Sequence, residues 1–115
     1  MKTESSYNGW KNYETWNVAL WLDNDQGSYN YWRGVAQECY DDAEAEKHLT
    51  RKENAACDLA DRLKNEIEES MPDLGASMFA DLLGAAMSEV NWREIAENWL
   101  DDVEEDEEEG EDQDE

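Results

Sequence analysis

Residues 11–25 read KNYETWNVALWLDND, and whether the middle of this stretch is a helix or a strand decides the fold class. Trp16, Val18, Leu20 and Leu22 alternate as a half-buried strand would, whereas Tyr13, Trp16 and Leu20 fit helical spacing. Asn12 tips the balance, because it is a good N-cap standing ahead of a segment that contains Ala19 and two leucines. A helix over 13–23 is apolar nearly all round. It is therefore expected to be central and buried, with its tryptophans building the core around which charged helices pack.

Working outward, the chain reads as helix throughout. Pro72 is the only proline and no stretch is rich in β-branched residues, so helices should dominate. Residues 1–11 form a short lead-in with Tyr7 and Trp10 docked on the body. The turn DNDQGS at 23–28 superficially resembles a calcium loop, but Gly27 comes one residue too early after Asp23 and Asp25, and no glutamate stands at the twelfth position. A second helix is expected over 28–46, with the stripe Trp32, Val35, Ala36, Cys39, Tyr40 and Ala43. The third begins at Thr50, where TRKE forms a capping box with Glu53, presents Ala56, Leu59, Ala60, Leu63 and Ile67, and ends near Met71 and Pro72. A fourth covers 74–87. Asn91 caps a fifth through NWRE, and Trp92, Ile95, Ala96, Trp99, Leu100 and Val103 line one side of it. WRGVAQECYDDAE at 32–44 lies over WREIAENWLDDVE at 92–104 with six identities, which admits a duplicated helical hairpin bridged by helix three.

The expected fold is all-α: a compact bundle of about five helices with an aromatic-rich core over 1–103, and a disordered acidic tail over 104–115. A chain of 115 residues buries one modest core. Six Trp and five Tyr contribute heavily to it.

The formal net charge is -23. Residues 101–115 hold twelve carboxylates and no base, and residues 1–100 hold twenty carboxylates against nine Lys and Arg. Such a chain repels nucleic acids and anionic membranes, which recruit Lys and Arg. It attracts cationic surfaces, including those with which other proteins bind nucleic acid. The blander reading is solubility or adaptation to a saline cytoplasm. Cys39 and Cys57 are too few for a disulfide framework and fall on apolar helix sides, so two buried free thiols are expected. Without a membrane-length apolar run or a signal-like N-terminus, a cytoplasmic protein is expected.

No catalytic set emerges. His48, the single histidine, sits among Lys47, Arg51 and Lys52 as a surface residue would, and no phosphate loop, cofactor motif or metal spacing occurs. An enzyme is not expected. The acid of helix five is more informative: Glu94, Glu97, Asp101 and Glu104 recur at steps of three and four, opposite the tryptophan stripe, so like charges stand roughly 5 to 6 Å apart. Asp101, Asp102, Glu104 and Glu105 also crowd a helix C-terminus, where the macrodipole prefers cations. Asp41, Asp42 and Glu44 repeat the pattern on helix two. Carboxylates in a column imitate DNA phosphates, which recur about every 3.4 Å along each strand.

NYETWNVALW at 12–21, together with FADLLGAAMSEVNWREIAENWLDD at 79–102, resembles a family of small acidic proteins of bacteriophages, plasmids and other mobile elements that has no assigned function. The resemblance covers both ends of the folded body but not its middle, with Asn12, Tyr13, Glu14, Thr15 and Trp16 at the hallmark positions. It implies a setting inside a bacterium rather than an activity. In that setting, small acidic proteins include DNA mimics that block restriction enzymes, CRISPR complexes or nucleoid proteins. The leading expectation is a non-enzymatic inhibitor of that type, with no cofactor, occupying the cationic surface of a host nucleic-acid-binding protein, as a monomer or homodimer. Its contacts would be Asp41, Asp42, Glu44, Glu94, Glu97, Asp101, Asp102, Glu104 and Glu105. The rival is an acidic adaptor that binds a phage or host protein through an apolar patch near Tyr7 and Trp10.

Overall fold

The computed structural model describes residues 7–105. Asn12 turns the opening stretch into a helix: its Oδ1 accepts the Thr15 N–H at 2.9 Å, and α1 (Tyr13–Asn24) follows. α2 (Gln26–Asp42) starts almost at once, capped by Asp25, whose carboxylate accepts the Ser28 N–H at 2.8 Å. The DNDQGS segment is thus a helix junction rather than an ion-binding loop. α3 (Arg51–Glu69) opens with the expected capping box between Thr50 and Glu53. α4 (Met78–Ser88) is capped by Ser77 and α5 (Trp92–Leu100) by Asn91. Five helices and no strand make up the described residues, an all-α fold as expected.

Two boundaries differ from the sequence reading for identifiable reasons. α2 ends at Asp42 rather than Glu46 because its last carbonyls are taken by a side chain: Arg51 donates to Tyr40 O at 3.0 Å and to Asp41 O at 3.4 Å while its guanidinium lies 4.1 Å from the Tyr40 ring centroid. A cation at a helix C-terminus also complements the macrodipole. α4 begins at Met78 rather than Leu74, since Gly75 adopts φ +64, a left-handed conformation that glycine tolerates and a helix does not.

The core lies between α2, α3 and α5. It contains Trp32, Val35, Ala36, Cys39 and Tyr40 of α2, Ala55, Ala56, Leu59 and Leu63 of α3, and Trp92, Ile95, Ala96, Trp99 and Leu100 of α5. α3 packs along both other helices, and α1 lies across α2 and α5. The stripes of α2 and α5 are therefore both buried as their shared spacing predicts. The likeness stops there, because α1 is packed on the body whereas α4 makes no extensive contact with any helix.

The expectation that α1 is central is overturned. Thr15 is its only fully buried residue; Trp16, Val18, Ala19 and Leu22 are half-buried, and Tyr13, Leu20 and Trp21 are exposed. A twelve-residue helix resting on one side of a bundle has more apolar circumference than that single contact can cover. The core tryptophans are Trp32, Trp92 and Trp99. Tyr7 stacks instead on Tyr13 and Trp16, at centroid distances of 5.3 and 5.0 Å, and Trp10 packs against the core. The acidic tail expected over 104–115 lies outside the described residues from residue 106 onward.

Candidate functional site

The two sequence motifs at opposite ends of the chain meet in one hydrogen-bonded junction. Asn12 Oδ1 accepts both the N–H and the hydroxyl of Thr15, at 2.9 and 2.6 Å, and Asn12 Nδ2 donates to the Glu89 carbonyl at 2.8 Å. Thr15 Oγ1, completely buried, accepts the Asn91 N–H at 2.8 Å. Asn91 in turn caps α5 by accepting the Glu94 N–H at 3.1 Å, and the Glu94 carboxylate accepts the Lys11 N–H, also at 3.1 Å. The box expected within NWRE is thus opened and completed by α1. Thr15 takes the backbone donor that Glu94 would otherwise have taken, and Glu94 takes one from the lead-in. Glu14 makes none of these bonds. The junction is structural, and it gives the Glu94 carboxylate a role in holding the lead-in while Glu94 also lines an open groove.

The remaining predicted carboxylates divide by what stands beside them. Glu97 is paired with Arg93 at 3.0 Å and Glu105 with Lys52 at 2.9 Å. Asp101 is the C-cap of α5 and lines a groove with Lys52 and Arg93. Asp102 and Glu104 line another with Arg33. Glu104 does not extend α5, which ends at Leu100. Its backbone is instead clipped to α2 by Gln37, which donates to Glu104 O at 2.9 Å and accepts the Glu104 N–H at 2.8 Å. The same Gln37 amide donates to Asp41 Oδ1 at 3.1 Å, bringing the acids of α2 and of the segment after α5 to one place. Of the acidic column expected along helix five, Glu94, Glu97 and Asp101 stand along one open groove beside Gly9, Trp10 and Asn98, whereas Glu104 lies beyond the end of α5 and is drawn to α2.

Asp42 and Glu44 belong to a different surface. They line an open groove of about 390 Å³ between the end of α2 and α3, together with Glu46, Asn54, Cys57, Asp58 and Asp61. Five carboxylates border it, and no Lys or Arg does. Asn54 fixes one wall by donating to the Glu44 carbonyl at 2.6 Å. Of the acidic residues singled out in the sequence, Asp42 and Glu44 thus have the strongest uncompensated surroundings. Glu46, Asp58 and Asp61 join them unpredicted.

Against known proteins, residues 3–112 match DUF7249, a family of unknown function. The chain belongs to that family. No curated protein and no solved structure matches it. Both motif stretches of the junction fall inside the DUF7249 match, as does the acidic groove.

In this DUF7249 chain the signal for Asp58 and Asp61 was present in the sequence: they stand three apart on α3, off its apolar stripe, as neighbours on one face do. It was hidden because the closure of the groove depends on where α2 stops. The same face corrects the reading of the cysteines. Cys39 is buried, and burial raises its thiol pKa, whereas Cys57 is exposed at the groove with Arg93 Nη1 3.6 Å from its sulfur. His48 is exposed, as expected. Among the described residues no group of three or more His, Cys, Asp or Glu is arranged to hold a metal ion, and no helix is long and apolar enough to cross a membrane.

Proposed function

We propose that this protein is a non-enzymatic binding protein that occupies the cationic, nucleic-acid-binding surface of another protein. The observation that carries this reading is the groove of Asp42, Glu44, Glu46, Asp58 and Asp61, bordered by five carboxylates and no base. Closely set like charges destabilise the protein that bears them, so their concentration calls for a partner that relieves it. Asp41, Asp102 and Glu104, gathered by Gln37, extend the acid along α2. In the bacterial mobile-element setting that the motifs suggest, restriction, CRISPR and nucleoid-associated proteins carry surfaces of the required charge, and the protein acts as a DNA mimic.

The test is capture from bacterial lysate by the tagged chain, with and without excess DNA, followed by affinity measurement on the captured protein. Nucleic-acid-binding proteins displaced by DNA are expected, with affinity falling steeply as salt rises. Joint neutralisation by Asp42→Asn, Glu44→Gln, Asp58→Asn and Asp61→Asn should weaken binding by at least about tenfold. Capture that is insensitive to both DNA and salt, or a neutralised variant that binds as the parent does, overturns the reading.

A second reading rests on the apolar surface of α1, where Trp21 is 68% and Tyr13 50% exposed. As an adaptor, the chain would bind its partner there rather than at Tyr7 and Trp10. Trp21→Ala would then abolish binding, and the groove neutralisations would leave it intact.

A further inference from the structure

Asn8 and Gly9 form the tip of a two-residue hairpin. Tyr7 and Trp10 pair across it, the Tyr7 N–H donating to Trp10 O at 3.0 Å and the Trp10 N–H to Tyr7 O at 2.7 Å. Asn8 has φ +50 and Gly9 φ +89, the two positive values of a type I′ turn, for which Asn-Gly is a preferred pair. The tip is open: both residues are exposed, and a Cβ built on Gly9 meets nothing within 4 Å. Among the described residues neither the Asn8 side-chain amide nor the Gly9 N–H has a hydrogen-bond partner. Asn8 is also the only asparagine of the chain that a glycine follows.

We propose that Asn8 is a site of spontaneous modification by water, its side-chain amide being converted to a carboxylate through a cyclic imide formed with Gly9. The Gly9 nitrogen attacks Asn8 Cγ. A bond forms between them, the Cγ–Nδ2 bond breaks, and ammonia leaves with the proton that the Gly9 N–H gives up. Water then adds to one of the two imide carbonyls and breaks its bond to the nitrogen. Opening at Cγ gives aspartate, and opening at the main-chain carbonyl gives isoaspartate, whose backbone runs through the former side chain. The sum is amide plus water to carboxylate plus ammonium, with nothing oxidised or reduced.

The turn supplies the geometry. In the five-membered ring Cβ, Cα, the carbonyl carbon and the Gly9 nitrogen are nearly coplanar, which for an L-residue means ψ near about −120°, the first central position of a type II′ turn. Asn8 already holds the positive φ of that position, which L-residues rarely adopt. Turning over the single peptide plane between Asn8 and Gly9 therefore reaches it, and among the described residues no hydrogen bond holds that plane. Both primed turns fit a two-residue hairpin, so the Tyr7–Trp10 bonds persist through the change. Glycine at position 9 leaves the attacking nitrogen uncrowded. A residue with a Cβ is strained in the flipped turn, which prefers glycine there, so this form is a minor state and the reaction is slow. Asn12 and Asn54, by contrast, have their amides engaged with carbonyls of other segments and are followed by Tyr13 and Ala55.

The consequence falls on the surface beside the turn. Gly9 and Trp10 line an open groove with Glu94, Glu97 and Asp101, so either product adds a carboxylate near three others. Isoaspartate also inserts one more atom into the backbone of the hairpin tip, which disrupts the Tyr7–Trp10 pairing and loosens Trp10.

Incubation of the full chain at neutral and mildly alkaline pH, followed by peptide mass mapping and isoaspartate detection, tests this. Conversion is expected at Asn8 ahead of every other asparagine, with release of ammonia and a rate that rises with pH, since the attacking nitrogen must lose its proton. The free peptide SSYNGWK, residues 5–11, gives the reference rate. Asn8 of the folded chain should react at no less than about a tenth of that rate, because reaching the reactive geometry needs one peptide flip and no unfolding. Asn8→Gln, whose ring would have six members, should remove the fast site and leave the helical circular dichroism spectrum unchanged. An Asn8 that stays intact in the folded chain while the peptide converts, or another asparagine that converts first, overturns the proposal. These readouts involve no cationic partner and stand apart from the test of the acidic groove.

Discussion

Replacing Thr15 by valine tests whether the junction between the two motifs is held by hydrogen bonds or by packing. Thr15 is the one fully buried polar side chain among the described residues, and its hydroxyl stands between the Asn12 amide oxygen at 2.6 Å and the Asn91 N–H at 2.8 Å. Valine keeps the shape but removes both bonds. The Asn91 N–H is then left without an acceptor, which costs about 1–3 kcal/mol, and the lost Asn12 partner adds about 0.5 kcal/mol. A total near 2.5 kcal/mol corresponds to a fall in Tm on the order of 10 °C for a domain of this size. Serine keeps both bonds and loses one methyl group, a penalty of about 1 kcal/mol. Urea unfolding followed by tryptophan fluorescence should therefore rank the parent above Thr15→Ser and Thr15→Ser above Thr15→Val. Valine equal to or better than serine would refute the reasoning and make Thr15 a space-filling residue. In a double-mutant cycle, Asn12→Ala and Thr15→Val should couple by about 1 kcal/mol, since both remove the Thr15 hydroxyl–Asn12 bond while Thr15→Val leaves the Thr15 N–H bond to Asn12 in place.

Three further outcomes follow from the same structure. In the native protein Cys57 should react promptly with a thiol reagent while Cys39 reacts only on unfolding, and Cys57→Ser should eliminate the fast phase; two fast equivalents would contradict the burial of Cys39 and its raised thiol pKa. Arg51→Ala should cost about 2 kcal/mol, from the charged hydrogen bond to Tyr40 O and the stacking on its ring, and Arg51→Lys should recover less than half in thermal or urea unfolding, because an ammonium cannot reproduce the fork. Asp58→Asn combined with Asp61→Asn should raise stability by a few tenths of a kcal/mol at low salt, with the gain shrinking as salt is added; a loss of stability would mean that these carboxylates serve the fold.

How much was legible beforehand depended on whether a feature was local. Caps at Asn12, Thr50 and Asn91 and the stripes of α2, α3 and α5 are written in spacings of three and four residues, and the structure reproduces them. The role of α1 was not legible, because an all-round apolar helix reads the same whether it is enclosed or merely leans on a bundle, and only the placement of α2, α3 and α5 decides which. Cys57 was misread for a related reason. It lies one position beyond the buried Ala56, and small displacements around a helix separate a buried side chain from an exposed one. The acidic groove depends on the stop at Asp42, set by Arg51 from the next helix, a contact that no periodicity encodes.

The junction and the groove also explain how the two quoted motifs relate to function. Asn12, Thr15, Asn91 and Glu94 are joined in one chain of hydrogen bonds that links segments nearly eighty residues apart, so these recognisable positions serve the architecture. The nearby bases are committed as well: among the described residues Lys52, Arg62, Lys64 and Arg93 pair with Glu105, Glu38, Glu66, Glu68 and Glu97, and every one of these partners is a glutamate. None of these five pairs uses an aspartate. The shorter side chain holds its charge near the helix surface, where a flexible lysine or arginine on the same helix reaches it less well than it reaches a glutamate. Asp42, Asp58 and Asp61 take part in none of these pairs and border the groove together. The proposed contact with an external cationic surface would account for gathering carboxylates around one groove, which solubility alone does not call for.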